Sequence, residues 1–228
     1  MSKISVEYFV HMKNIIFAIP GREFSGNFLN CWTDTLLKCI KNGINPLLSN
    51  KYSSMVSYAR CLCLGADVRR GIHQAPFDGK IDYEYIMWID SDIVFSFEQI
   101  QKLMSYDQDI VSGIYKTENG QNFACVKDWD QEYYKKNGSF YFLQQQDVAN
   151  HKGLMEVDYN GMGFMLIKKG VFEKVEYPWF CQLKKQIGDL EDYCSEDVAF
   201  CHLAKKAGFK IFIDPQVVVG HEKTRILT

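Results

Sequence analysis

Three places in the chain hold side chains whose types could act together. The apolar run "YIMWI" (Tyr85–Ile89) stops at Asp90-Ser91-Asp92, inside "MWIDSDIVF". "SEDVAFCHLAKKAG" sets Glu196 and Asp197 directly after Ser195, and "VVVGH" ends in His221. Two carboxylates one residue apart repel each other unless a positive charge lies between them. A hard divalent cation such as Mn²⁺ or Mg²⁺ takes oxygen ligands and shares them with phosphate. The D-x-D spacing lets one carboxylate meet such a metal while the other reaches a ribose or a metal-bound water. An imidazole at the end of a nearby strand is a further candidate ligand. A carboxylate at position 196 or 197 is a candidate general base for an attacking hydroxyl. Each piece also has a plainer reading. The D-x-D is then a solvated turn, the acids complement a helix dipole by about 0.3–1 kcal/mol, and the histidine is a satisfied surface or core residue.

The elements around these residues decide where they can meet. "NIIFAIP" (Asn14–Pro20) reads as a buried strand entering a Pro-Gly turn. Residues Asn27–Gly43 carry apolar side chains at helical spacing, with Gly43 as C-terminal cap. "INPLLSN" is a second strand, and Ser53–Val68 a second helix with Ser53 or Ser54 as N-cap. After a polar stretch comes "YEYIMWID", an unbroken apolar strand of the kind found inside a parallel sheet. A short helix "SFEQIQKLMSY" and a strand "DIVSGIY" follow. This alternation predicts an α/β fold with a mostly parallel central sheet, flanking helices and a small antiparallel part. Thr117–Lys152 reads as loops and short antiparallel strands, "LMEVDYNGMGFMLIKKGVFEKV" as strand, turn, strand and helix, and "FKIFIDPQVVVGH" as two short strands. Ser195 is expected to cap the helix Ser195–Gly208. No linker is visible, so one domain is expected over 1–228.

Composition narrows the classes. The 228 residues carry a formal net charge of −2, which offers no field for nucleic acid. No apolar run is long enough for a membrane span. The eight cysteines are scattered, with no C-x-x-C pair. Buried, reduced thiols in a cytosolic chain are expected rather than zinc or a disulfide framework.

Taken in order, "AIPGR", "MWIDSDIVF", "NGMGFMLIKKGVFEKV" and "SEDVAFCHLAKKAGFKIFIDPQVVVGH" resemble a GT-A (Rossmann-like) glycosyltransferase of the D-x-D type, over Asn14 to about Lys223. The chain is also similar in tone to the glycosyltransferases of large algal (chlorella-type) viruses; if viral, it would work in the host cytosol. The resemblance implies a nucleotide-binding half at about 14–116 and an acceptor-binding half at about 117–228, in which Ile19, Pro20, Arg22 and Asn50 border the nucleotide and Arg60 lies near the sugar diphosphate. Cys61 follows Arg60 where an asparagine is common, so this sequence departs from the pattern there. Asp90, Ser91 and Asp92 would contact the donor, with Asp90, Asp92 and His221 as ligands of Mn²⁺ or Mg²⁺. Asn160, Gly161 and Gly163 would line the floor between donor and acceptor, with Trp179 as a stacking platform. Asp197, or Glu196, would be the base or an acceptor anchor.

The activity implied is metal-dependent transfer of a hexosyl or deoxyhexosyl group from a UDP-sugar to a hydroxyl of a glycan or glycoprotein acceptor. The chain ends seven residues after His221 and is compatible with one domain of a longer polypeptide. Three alternatives stand beside this. A haloacid-dehalogenase-type phosphatase also ends a strand in D-x-D, but usually close to the N-terminus. A nucleotidyltransferase would want a better Gly-rich loop than "PGREFSG". A sugar-binding module would use the same surface without turnover.

Overall fold

The computed structural model describes residues 12–224. In chain order the strands are β1 (Lys13–Pro20), β2 (Ile44–Lys51), β3 (Tyr85–Ile89), β4 (Ile93–Val94), β5 (Ile110–Ile114), β6 (Asn122–Val126) and β7 (Phe142–Gln144). They continue with β8 (Met155–Val157), β9 (Tyr159–Asn160), β10 (Phe164–Lys168), β11 (Leu183–Ile187), β12 (Leu190–Cys194), β13 (Ile211–Val218) and β14 (Gly220–His221). The helices are α1 (Gly26–Lys41), α2 (Val56–Cys63), α3 (Phe97–Met104), α4 (Gln131–Asn137), α5 (Gln145–Val148), α6 (Val171–Lys174) and α7 (Glu196–Lys206).

Seven strands form the central sheet in the order β2-β1-β3-β10-β5-β13-β8. β1 runs parallel to β2 and β3, and β13 parallel to β5, whereas β10 and β8 run antiparallel to their neighbours. The architecture is therefore the expected α/β one, mostly parallel. Side chains alternate across a strand, and both faces of this sheet are covered. Ile16, Ala18, Ile86, Trp88, Met165 and Ile167 pack on one side with residues of α2, α6 and α7. Ile15, Phe17, Ile19, Met87, Phe164 and Leu166 pack on the other with α1 and α3. Burial on both faces is why these strands read as unbroken apolar runs rather than alternating ones.

Local signals mostly hold, with four corrections. Ser25 caps α1 by accepting from the Phe28 amide, and Gly43 takes φ +70° just past its end. α2 is shorter than expected: it starts at Val56, Met55 holds the cap position without a side-chain bond, and Ser53 only accepts from the Met55 amide. Ser195 occupies the cap position of α7, but its hydroxyl donates to the Asp197 carboxylate instead of capping a backbone amide. The hairpin β11–β12 answers to none of the expected elements, and Thr117–Lys152, expected as loops and short strands, also holds the helices α4 and α5.

All eight cysteines are free thiols. A reducing agent is therefore expected to leave the melting temperature unchanged in a thermal melt. A drop of several degrees would show a disulfide in the purified protein. Among the described residues no helix is long and apolar enough to cross a membrane.

Candidate active site

β3 ends at Ile89, and its pairing with β10 continues one residue further: the Asp90 amide donates to the Gly163 carbonyl at 3.0 Å. That bond carries Asp90 over the glycine turn between β9 and β10. Three residues on, β4 pairs antiparallel with β14, with His221 opposite Ile93 and Gly220 opposite Val94. The Glu222 amide donates to the Asp92 carbonyl at 2.7 Å. A two-residue ribbon thus brings His221 against Asp92 across 129 positions of sequence.

His221 Nδ1 lies 2.6 Å from the Lys116 carbonyl, and Nε2 lies 3.1 Å from Asp92 Oδ2. A carbonyl only accepts, so Nδ1 carries a proton. The approach of Nε2 to a carboxylate then requires either a second proton or a shared cation. Without a metal the ring is drawn toward its charged form, chiefly by the Asp92 bond. Lys223 Nζ also donates to Asp92 Oδ2, at 2.7 Å. Burial works against the Asp92 charge, but the His221 and Lys223 bonds outweigh it and hold the carboxyl at about 2.

Asp90 faces the other way. Arg60, 3% exposed, reaches it from α2: Nη2 donates to Oδ2 at 3.0 Å. Nη1 is 3.0 Å from Oδ1, an ion pair that lacks hydrogen-bond geometry. Arg60 Nε donates to Glu196 Oε1 at 3.1 Å, and the guanidinium lies 5.6 Å from the centre of the Trp88 ring. Burial opposes the guanidinium charge, yet Asp90 and Glu196 more than restore it. The Glu196 carboxyl is raised, first by burial and then by Asp197, despite the lowering by Arg60. Asp197 is held by three donors: the Tyr159 hydroxyl at 2.8 Å, the Val198 amide at 2.8 Å, and Ser195.

A cleft of about 290 Å³ opens beside Arg60, Asp90, Ser91 and Asp92, and Pro20, Gly21, Arg22 and Tyr52 form its other wall. Arg22 lies over the Tyr52 ring at 5.9 Å. Asn50 donates to the carbonyls of Ile19 and Gly21 and so fixes the turn after β1. Gly21 is required there, because a Cβ would sit 2.7 Å from the Ser91 Cβ.

Of the sequence candidates, Pro20, Arg22, Arg60, Asp90, Ser91, Asp92, Glu196, Asp197 and His221 gather around this cleft and the acids behind it. Ile19 is buried in the core and contributes its carbonyl. Asp90 is turned from Asp92 toward Arg60, so the expected three-ligand set comes together only as the Asp92–His221 pair. Among the described residues no group of three or more His, Cys, Asp or Glu side chains is arranged to hold a metal. Asn160 is buried, with its amide donating to the Gly161 carbonyl at 2.9 Å and toward that of Gly113 at 3.3 Å. Trp179 must be withdrawn as a stacking platform. It is 0% exposed, donates to the Phe172 carbonyl, and packs edge-on against Phe172 and Tyr177.

The glycines Gly161 and Gly163 have a reason that sequence reading missed. Tyr115, directly after β5, fills the space beneath them. Its hydroxyl accepts from the Gly163 amide at 3.1 Å, and its ring meets His221 edge-on at 5.1 Å. A Cβ on Gly161 would collide with the Tyr115 hydroxyl, and one on Gly163 would lie 2.8 Å from its ring carbon Cζ. Gly161→Ala is therefore expected to cost about 1–3 kcal/mol by overpacking. Tyr115→Phe should recover more of the loss for Gly161→Ala than for Gly163→Ala, whose Cβ would still lie 2.8 Å from ring carbon Cζ and 2.9 Å from Cε1, as read in denaturant titrations of the single and double variants. The available signals were "SGIY" closing an apolar strand in a tyrosine, and Lys223 two residues from His221, on the same side of an extended chain.

The fold and the residues gathered at its strand ends define an α/β chain with a cleft at the carboxyl edge of β3, the place where open α/β sheets generally bind ligands. No protein-family model matches the sequence, and no curated protein matches it at a significant level. Among solved structures, the chain is similar to A197 from STIV at 17% identity and TM-score 0.50, covering 95% of this chain and 97% of that one. It is also similar to GalNAc-T7, solved with UDP, GalNAc and Mn²⁺, at 13% identity and TM-score 0.45, covering 92% of this chain and 44% of that one. A third is the inositol-1-phosphate CTP transferase from T. maritima, at 10% identity and TM-score 0.44, covering 94% and 90%.

Proposed function

We propose that the chain is a metal-dependent glycosyltransferase of the GT-A type, moving a sugar from a UDP-sugar to a hydroxyl of a glycan acceptor. The observation that carries this reading is that Arg60, Asp90 and Asp92 line one cleft at the strand ends and are joined from behind by Glu196, on Arg60, and His221, on Asp92, so that four separate parts of the chain meet there. Arg22 and Tyr52 would border the nucleotide at one end of the cleft. Asp92 and His221 would hold Mn²⁺ or Mg²⁺. A hard cation that keeps several ligand positions for substrate phosphate needs few protein ligands, and a His whose other nitrogen is fixed by a carbonyl is oriented as a ligand. When bound, the cation would neutralise charge on the departing diphosphate.

The chain's own residues do the rest. Arg60 adds a fixed positive charge at the floor of the cleft and holds Asp90 toward the donor. For the base, the geometry favours Glu196 over Asp197. Asp197 already accepts from three donors, whereas Glu196 has one oxygen on Arg60 and a carboxyl raised by burial, closer to the pH at which a base works best. Asp197 would then orient Tyr159 and anchor the acceptor.

The test is UDP release from a panel of UDP-sugars with Mn²⁺. Turnover of at least one donor is expected, with loss of activity on chelation and recovery when Mn²⁺ is returned. Phosphate release from an aryl phosphate would instead favour the phosphatase reading, and pyrophosphate release from a nucleoside triphosphate the nucleotidyltransferase one.

A further inference from the structure

A second cavity, about 480 Å³, lies next to the acid pair and shares no lining residue with the cleft that holds Arg22 and Tyr52. Its size falls within the roughly 300–1,000 Å³ typical of ligand sites. Its walls come from the segment between β6 and β7, from the hairpin β11–β12, and from α7. Within it Trp129 stacks on His202 at 4.9 Å and 21° and meets Phe140 edge-on at 4.7 Å. The Trp129 indole N–H is buried and has no acceptor among the described residues.

Two wall residues tie this cavity to Asp197, the chain neighbour of Glu196. Tyr159 donates to Asp197 Oδ2 at 2.8 Å, and Ser195 donates to Oδ1. Charge in the cavity is nearly balanced. Lys185 and Asp192 are present once each, and Asp192 accepts from the Tyr134 hydroxyl at 3.0 Å. His202 is neutral near pH 7, because burial and Lys185 push it down to about 4. Aromatic faces for C–H surfaces, together with the side-chain amides of Gln131 and Gln186, suit a ligand of many hydroxyls and no charge.

We propose that this aromatic cavity binds an uncharged oligosaccharide and presents one of its hydroxyls to the Glu196–Asp197 pair. The presentation of a hydroxyl rests on the transfer reading above; the binding does not. The chain of contacts then runs donor cleft, Arg60, Glu196 and Asp197, Tyr159, acceptor cavity.

The experiment is saturation-transfer NMR on the full chain with neutral di- and trisaccharides at millimolar concentration, without nucleotide. At least one should bind. Tyr193→Ala, at a position 65% exposed and so outside the core, should weaken that binding by about tenfold, ~1.4 kcal/mol, and leave UDP–Mn²⁺ binding unchanged. Three outcomes would overturn the assignment: no saccharide binds, binding is indifferent to Tyr193→Ala, or alkyl glycosides bind according to chain length whatever the sugar. Saccharide binding without turnover of any UDP-sugar supports the cavity and removes the transfer reading. UDP release without saccharide binding removes the cavity alone.

Discussion

Arg60→Met is expected to destabilise the chain by about 3–5 kcal/mol, the usual cost of removing one partner from a buried ion pair. At roughly 2–4 °C per kcal/mol for a protein of this size, the melting temperature should fall by about 6–20 °C. The cause is specific. Arg60 is the cation between Asp90 and Glu196, and without it two partly buried carboxylates are left with no counter-charge. The pH dependence follows. Glu196 is raised in the folded chain by burial, and loss of Arg60 raises it further. A carboxyl raised on folding binds more protons in the folded state than in the unfolded one. Its destabilising effect is therefore least below the unfolded value of 4.5 and grows as pH rises through the folded value. The deficit of Arg60→Met should be smaller near pH 5 than near pH 8, as read from melts of both proteins at both pH values. A deficit independent of pH would mean that lost packing on Trp88, not stranded charge, is what matters. Arg60→Lys should fall in between, because a compact ammonium cannot serve two carboxylates with a planar fork.

Asp92→Asn has the largest expected effect on turnover and a small one on stability. The Asp92 side chain is 39% exposed, and its partners His221 and Lys223 are themselves part-exposed. Such a pair contributes about 0–1 kcal/mol, so the melting temperature should stay within a few degrees of wild type. kcat should fall on the order of 10²–10³, the scale seen when one preorganised group that stabilises developing charge is removed. Steady-state UDP release in Mn²⁺ gives kcat, and a calorimetric Mn²⁺ titration in the presence of UDP should show weakened metal binding in parallel. Wild-type activity in this variant would leave the metal role of Asp92 without support. The two substitutions also separate two jobs that D-x-D spacing runs together: Asp90 belongs to the Arg60 network, and Asp92 to the His221–Lys223 corner.

Much of this layout was legible in the linear chain because period and composition are local properties. "NIIFAIP" and "YIMWI" are uniformly apolar, and only a strand covered on both faces calls for that pattern. Asp90, Asp92 and His221 were legible as candidates because a carboxylate or an imidazole that ends an apolar run reaches the edge of such a sheet. Other features left no local trace. Trp179 after Pro178 reads equally as a sugar platform or as core, and it is core, since Phe172, Tyr177 and the Phe172 carbonyl surround it. The aromatics of "DWDQEYYKKNGSFYF" have no strand or helix period, so they resembled loop, yet Trp129 and Phe140 line a cavity.

By itself the sequence determined the α/β class, the order of the first strands and helices, and which residue types could bind a cation or move a proton. Only the tertiary structure decided that β10, late in the chain, inserts antiparallel between β3 and β5 and so lays the Gly161–Gly163 turn against Asp90. It alone set the β4–β14 register that puts His221 on Asp92, and the reach of Arg60 to Asp90 and Glu196. The physical reason is that strand order and register depend on which distant surfaces bury each other, and spacing along one chain does not encode that pairing.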